Sequence, residues 1–139
     1  RSRDRFGWMT ALSYFVMLSD EALQWMEGPG DTLALAHGPL ARGPKVVLLT
    51  AGADGARAIT QRTARHVPAR KVTVADTVGA GDTFNAGFLA ALDRADLLTK
   101  DAVANLSDDA LDAALTLGIQ AAAVTVSRAG ANPPWAHEL

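Results

Sequence analysis

Apolar and polar positions along the chain alternate between two periods. Tyr14 to Leu18 (YFVML) is an unbroken apolar run that reads as a buried strand. Ser19 and Asp20 follow as helix-start residues, and EALQWME continues at helical spacing until Gly28-Pro29-Gly30. A second helix is expected from Asp31 to about Leu40, with Leu33, Leu35, Ala36 and Leu40 on its apolar side and Gly38-Pro39 disturbing its end. Lys45 to Thr50 (KVVLLT) is continuously β-branched or leucine, as in a strand covered on both faces. After the turn AGADG, the stretches ARAIT and RHVPA read as short strands, giving a hairpin over Gly55 to Val67; Pro68 confines the second to an edge or a loop. Lys71 to Ala75 (KVTVA) is the next strand. Asp82 to about Arg94 is a helix with Phe84, Phe88, Leu89 and Leu92 on its apolar side. The longest helical pattern runs from Ser107, with Ser107-Asp108-Asp109 as cap and first-turn acids, to about Val126, and Asn132-Pro133-Pro134 forbids further helix. Strands alternating with helices predict an α/β fold with a mostly parallel sheet.

Composition narrows the class. A chain of 139 residues, 49% hydrophobic and 20% charged, is long enough for one domain with a real core. The formal charge is −2 with no basic stripe, which argues against a nucleic-acid partner. The absence of cysteine removes thiolate chemistry and fits a reducing, cytoplasmic setting. No apolar run reaches the ~18 residues of a membrane span. The opening RSRDRFGWMTALSYFVML has the basic-then-apolar order of a signal peptide, but Asp4, Ser13 and Tyr14 interrupt it. The simpler reading is a chain that begins inside a domain.

The chemistry is concentrated in the turn between KVTVA and the helix from Asp82, which reads Asp76-Thr77-Val78-Gly79-Ala80-Gly81-Asp82. In a parallel α/β sheet, ligands bind beyond the carboxyl ends of the strands. Unpaired N–H groups at a helix start, with the helix dipole, form an anion site, and small residues let a phosphate approach. The sequence lacks the Gly-Lys-Ser/Thr of a Walker A loop, and the dinucleotide pattern fails where Phe84 replaces its last glycine. What remains is an anion hole with a built-in carboxylate. At neutral pH that carboxylate repels phosphate unless it has a task, such as accepting a proton from an attacking hydroxyl. The competing reading is a helix cap, worth about 1 kcal/mol. His37, His66 and His137 are scattered without metal spacing, and Trp8, Trp25 and Trp135 read as packing residues. Asp108, Asp109 and Asp112 read as the solvated start of a helix.

The nine residues DTVGAGDTF resemble the C-terminal signature of the ribokinase/fructokinase family of sugar kinases, the phosphofructokinase B type. Three further segments fall in that family's order. They are YFVMLSDEALQWM, VVLLTAGADGARAI and AAAVTVSRAGANPPW, and the tail GANPPWAHEL is similar to bacterial fructokinases. The resemblance implies the C-terminal part of a ribokinase-like three-layer fold. Residues 1–139 would then be the nucleotide-binding and catalytic part, without the N-terminal substrate and lid part. It implies Asp82 as the base that deprotonates a sugar hydroxyl, and Gly79, Ala80 and Gly81 with Asp82 as the anion hole. Thr50, Gly52, Gly55 and Asn132 would face the nucleotide, while Asp76, Val78, Arg128 and Gly130 would border a monovalent cation, K+. The implied ligands are ATP, Mg2+ and a small sugar, with a homodimer in the longer protein. One departure matters: the family's Mg2+-organising Glu falls on Ala22, and Glu21 lies one residue early, roughly 100° round the helix. A nucleotide-binding fragment without catalysis, or a degenerate remnant, therefore stands as the alternative, and the chain on its own is expected to be weak or inactive.

Overall fold

The computed structural model describes residues 14–70 and 80–126. Strand β1 (Phe15–Ser19) leads into helices α1 (Asp20–Glu27) and α2 (Thr32–Leu40), then β2 (Val46–Thr50), a single 3-10 turn (Gly52–Asp54), β3 (Ala56–Ile59) and β4 (Ala64–Val67). Helices α3 (Ala80–Arg94), α4 (Lys100–Ala104) and α5 (Asp108–Val126) follow. The described sheet has the order β1-β2-β3-β4 and is mixed. β1 and β2 run parallel, with Phe15 opposite Val46 and Ser19 opposite Thr50, whereas β2–β3 and β3–β4 are antiparallel. The strand expected at Lys71 to Ala75 lies outside the described residues.

The apolar run of β2 now has its explanation. Val46 and Leu48 belong to a core with Phe84, Phe88, Leu92, Leu111 and Leu115 on one side of the sheet. Val47 and Leu49 belong to a second core with Leu23, Ala36 and Leu40 on the other. Adjacent residues of a strand face opposite ways, so four consecutive apolar side chains serve two cores. The result is three layers: α1 and α2, the sheet, and α3 to α5.

The caps are local. Ser19 Oγ accepts from the Ala22 N–H at 3.0 Å, Asp31 Oδ2 from Ala34 at 3.2 Å, and Thr99 Oγ1 from Ala102 at 3.2 Å. The last of these starts α4, which periodicity could not announce because five residues hold little more than one turn. Pro39 occupies the last turn of α2, so its missing N–H removes one bond near the end of the ladder and leaves the earlier turns intact. Two apolar expectations are corrected. Trp25 is 87% exposed, because it lies about 200° round α1 from the buried Leu23, and Leu33 is 42% exposed on the first turn of α2.

Helices α3 and α5 approach closely because glycine stands on both. A Cβ on Gly87 would lie 2.9 Å from the Leu117 carbonyl, and one on Gly118 would lie 2.7 Å from the Phe84 ring. The hairpin is fastened to the start of α5 by ions. Arg65 makes a two-pronged pair with Asp112 at 2.8 and 2.6 Å, and Arg62 reaches Asp108 at 3.4 Å. The aspartates read as a solvated helix start are thus also the anchor of β4, a partnership that spacing does not reveal.

The Arg65 hydrogen bond holds the Asp112 carboxyl below its ordinary range. A carboxylate whose folded-state pKa is depressed stabilises above its unfolded value and loses that contribution as pH falls through the folded one. Both side chains are over a third exposed, so screening keeps the effect small. We expect Asp112→Asn to lower the melting temperature of the full-length protein at neutral pH, with the difference from wild type closing as pH falls into the acid range. Thermal unfolding at a series of pH values checks this; an undiminished difference at low pH would contradict it.

Candidate active site

Ser19, Thr50 and Ala56 are aligned across three strands at one end of the sheet, the carboxyl end of β1 and β2. From Thr50 the chain enters a tight turn. The Ala51 N–H donates to the Gly55 carbonyl at 2.9 Å, Asp54 N–H to Ala51 at 3.0 Å, and Gly55 N–H to Gly52 at 3.1 Å. His66 Nε2 lies 2.6 Å from the Asp54 carbonyl, tying β4 to the same turn. Gly52 and Gly55 have φ of +53° and +91°. Gly55 is doubly constrained, since a Cβ there would sit 2.1 Å from the Val67 carbonyl oxygen. Gly55→Ala should therefore destabilise the protein by about 1–3 kcal/mol or more, despite the lower backbone entropy of alanine in the unfolded chain. Urea unfolding checks this, and an unchanged midpoint would contradict it.

Thr50, Gly52 and Gly55 face the start of α3 across a cleft of about 260 Å³, whose lining also includes Ala56, Ala80, Gly81, Phe84, Ile119 and Ala122. Two sets of residues distant in sequence, the nucleotide-side turn and two members of the expected anion hole, thus share one cavity. The sequence reading missed Ala56, Phe84, Ile119 and Ala122. A signal existed only for Ile119 and Ala122, which stand three apart and hence share a face of α5.

Among the described residues the helix carrying Asp82 already includes Ala80 and Gly81. Asp82 therefore lies within the helix and is not its cap. Its carboxylate still lies in the first turn, where the dipole and the unpaired N–H groups favour an anion. Asp82 is exposed, and among the described residues a Cβ on Gly81 would meet nothing within 4 Å. The described geometry thus offers small walls, a helix start, and a carboxylate that solute can reach. The walls suit a flat ring and the helix start suits a phosphate. Among the described residues no group of three or more His, Asp or Glu could hold a metal ion. With Ala22 at the expected Glu position, the described residues do not by themselves form an Mg2+ site. Gly79, Asp76, Val78, Arg128, Gly130 and Asn132 lie outside the described residues.

A family model described as pfkB family carbohydrate kinase matches residues 9–138. The fructokinase of Rhizobium leguminosarum bv. trifolii is 50% identical over 103 residues, covering 74% of this chain and 32% of that protein. The structure of a Xylella fastidiosa fructokinase with bound ATP superposes with a TM-score of 0.76 at 25% identity, covering 89% of this chain and 40% of that one. An aminoimidazole riboside kinase from Salmonella enterica, complexed with aminoimidazole riboside and an ATP analog, gives a TM-score of 0.72 at 29% identity over 88% of this chain and 39% of its own. The chain belongs to the pfkB family of carbohydrate kinases and has its ribokinase-like fold. It spans about a third of the length of the curated relatives it matches. Among the described residues no helix is long and apolar enough to cross a membrane.

Proposed function

We propose that residues 1–139 are the nucleotide-binding and catalytic part of an ATP-dependent sugar kinase, with fructose as the favoured substrate. The observation that carries the proposal is the single cleft that joins Thr50, Gly52 and Gly55 to the α3 start just before Asp82. ATP lies along the strand ends, its base against Ile119 and Ala122 and its phosphates toward the α3 N-terminus. The Gly79–Asp82 amides hold the transferring phosphoryl group; losing one such donor typically costs ~2.7–4 kcal/mol of transition-state stabilisation. Asp82 takes the proton of the sugar hydroxyl, the hydroxyl oxygen bonds to the γ-phosphorus, and the bond from that phosphorus to the bridging oxygen of ADP breaks. Asp76, Val78, Arg128 and Gly130 border K+, and Asn132 contacts the nucleotide. The preference for fructose is supported by the 50% identity to a fructokinase. The protein works in the cytoplasm, as a homodimer at full length.

The test is ADP release by the full-length protein with a panel of sugars. Fructose-dependent release with the highest kcat/KM of the panel is expected; no sugar-dependent release with any member would overturn the proposal. Ala22 favours a second reading, a nucleotide-binding module without catalysis. Calorimetry separates the two, because ATP binding without transfer to any sugar belongs to the module alone.

A further inference from the structure

Thr83 and Thr125 are the only buried polar side chains among the described residues, at 9% and 1% exposure. Their hydroxyls meet at 3.0 Å. One follows Asp82 in the first turn of α3, and the other lies in the last turn of α5. A threonine near the end of a helix commonly turns its hydroxyl back onto a carbonyl of its own preceding turn. The Thr125 hydroxyl crosses to the other helix instead. Beside this pair, Phe84, Gly87, Gly118 and Ala121 bring the two helices into close apolar contact, which is non-directional. A hydrogen bond is directional and supplies what apolar contact lacks. The two helices also both line the cleft, with Ala80 and Gly81 on α3 and Ile119 and Ala122 on α5.

We propose that the Thr83–Thr125 hydroxyl pair is a positioning device. It sets the register of the α3 first turn against α5, and so fixes Asp82 and the anion-binding amides relative to the wall that receives the nucleotide base. Neither threonine touches the reacting atoms. The catalytic consequence rests on the kinase reading above, but the structural one does not.

The experiment uses Thr125→Val, Thr83→Val, the double valine variant and Thr125→Ser in the full-length protein. The amides of Phe84 to Gly87 bond to the carbonyls of Ala80 to Thr83, so their hydrogen exchange reports the first turn of α3. Thr125→Val is expected to speed their exchange at least about tenfold while Leu111 to Leu115 stay unchanged. Its kcat should fall about tenfold with a smaller change in the KM for ATP, since displacement of reacting groups is felt at the transition state. Replacing both hydroxyls also removes the Thr83–Thr125 bond and should leave kcat as low as in Thr125→Val. Thr125→Ser should recover both exchange and kcat. Unchanged exchange at Phe84 to Gly87 in Thr125→Val would overturn the proposal, as would a wild-type kcat in the double variant. A wild type that phosphorylates no sugar, with the exchange change present, would remove the kinase reading and leave the positioning role standing.

Discussion

Asp82→Asn in the full-length protein should lower kcat by about 10²–10⁴-fold, while ATP binds as tightly as to wild type or more tightly. Asparagine has nearly the shape of aspartate and still accepts a hydrogen bond, so the first turn of α3 keeps its geometry. What it loses is a negative charge and a site for a proton. The charge interacts favourably with the helix dipole by about 0.3–1 kcal/mol, and this bounds the loss of stability. The expected kinetic loss corresponds to about 2.7–5.4 kcal/mol at ~1.36 kcal/mol per factor of ten. The two roles therefore differ enough in size to be told apart. A residue serving only the helix start would lose stability and leave turnover per folded molecule intact. The sign of the ATP effect is a second discriminant. A carboxylate beside a phosphate site repels the bound anion, so removing it should not weaken ATP. Measuring kcat, the dissociation constant of ATP and the melting temperature on the same preparation separates a base from a charge that serves only the helix dipole. Near-normal turnover would rule out the base role.

How much of this was legible in the sequence depends on the range of the interaction involved. Strand and helix periods follow from local pattern, and so the four described strands and the longer helices lie within a residue or two of their expected places. The helix that carries Asp82 was legible for the same reason, because glycine, a small residue and an aspartate at a helix start are a local signal. The shared cleft was not. Nothing in VVLLTAGADG states that its turn will face Ala80 and Gly81; that needs the sheet order and the seating of α3 on α5. The same holds for Asp112, whose partner Arg65 is 47 residues away, and for Thr83, whose partner Thr125 is 42 residues away. Trp25 shows the opposite failure. Its size suggested packing, but its angle on α1 decides its exposure, and helical phase relative to Leu23 carried that information all along.

Phe84→Ala should cost about 3–5 kcal/mol of stability and also disable the cleft. The ring is 1% exposed, sits in the core on the α3–α5 side of the sheet and lies 6.4 Å from the ring of Phe88, which in turn meets Phe15 edge-on at 5.8 Å. It also lines the cleft. Truncation therefore leaves a void that opens onto the cleft, where the helices can relax only by sliding together over Gly118. Gly118→Ala acts on the same contact from the other side. Alanine is better than glycine in a helix by about 1 kcal/mol. Its methyl group, however, would lie 2.7 Å from two ring carbons and 2.9 Å from the Phe84 carbonyl oxygen. Overpacking of this kind costs about 1–3 kcal/mol, and a backbone carbonyl cannot swing aside as a flexible side chain would, so the sum is destabilising. If the two positions form one contact, their effects should not add. Combining Phe84→Leu with Gly118→Ala should cost less than the sum of the single changes by at least about 0.5 kcal/mol, because the smaller residue yields the space that the methyl group takes. Urea unfolding of the two single variants and the double variant measures this. Strict additivity would mean that α3 and α5 are seated by contacts other than this one, and that the cleft wall does not depend on Phe84.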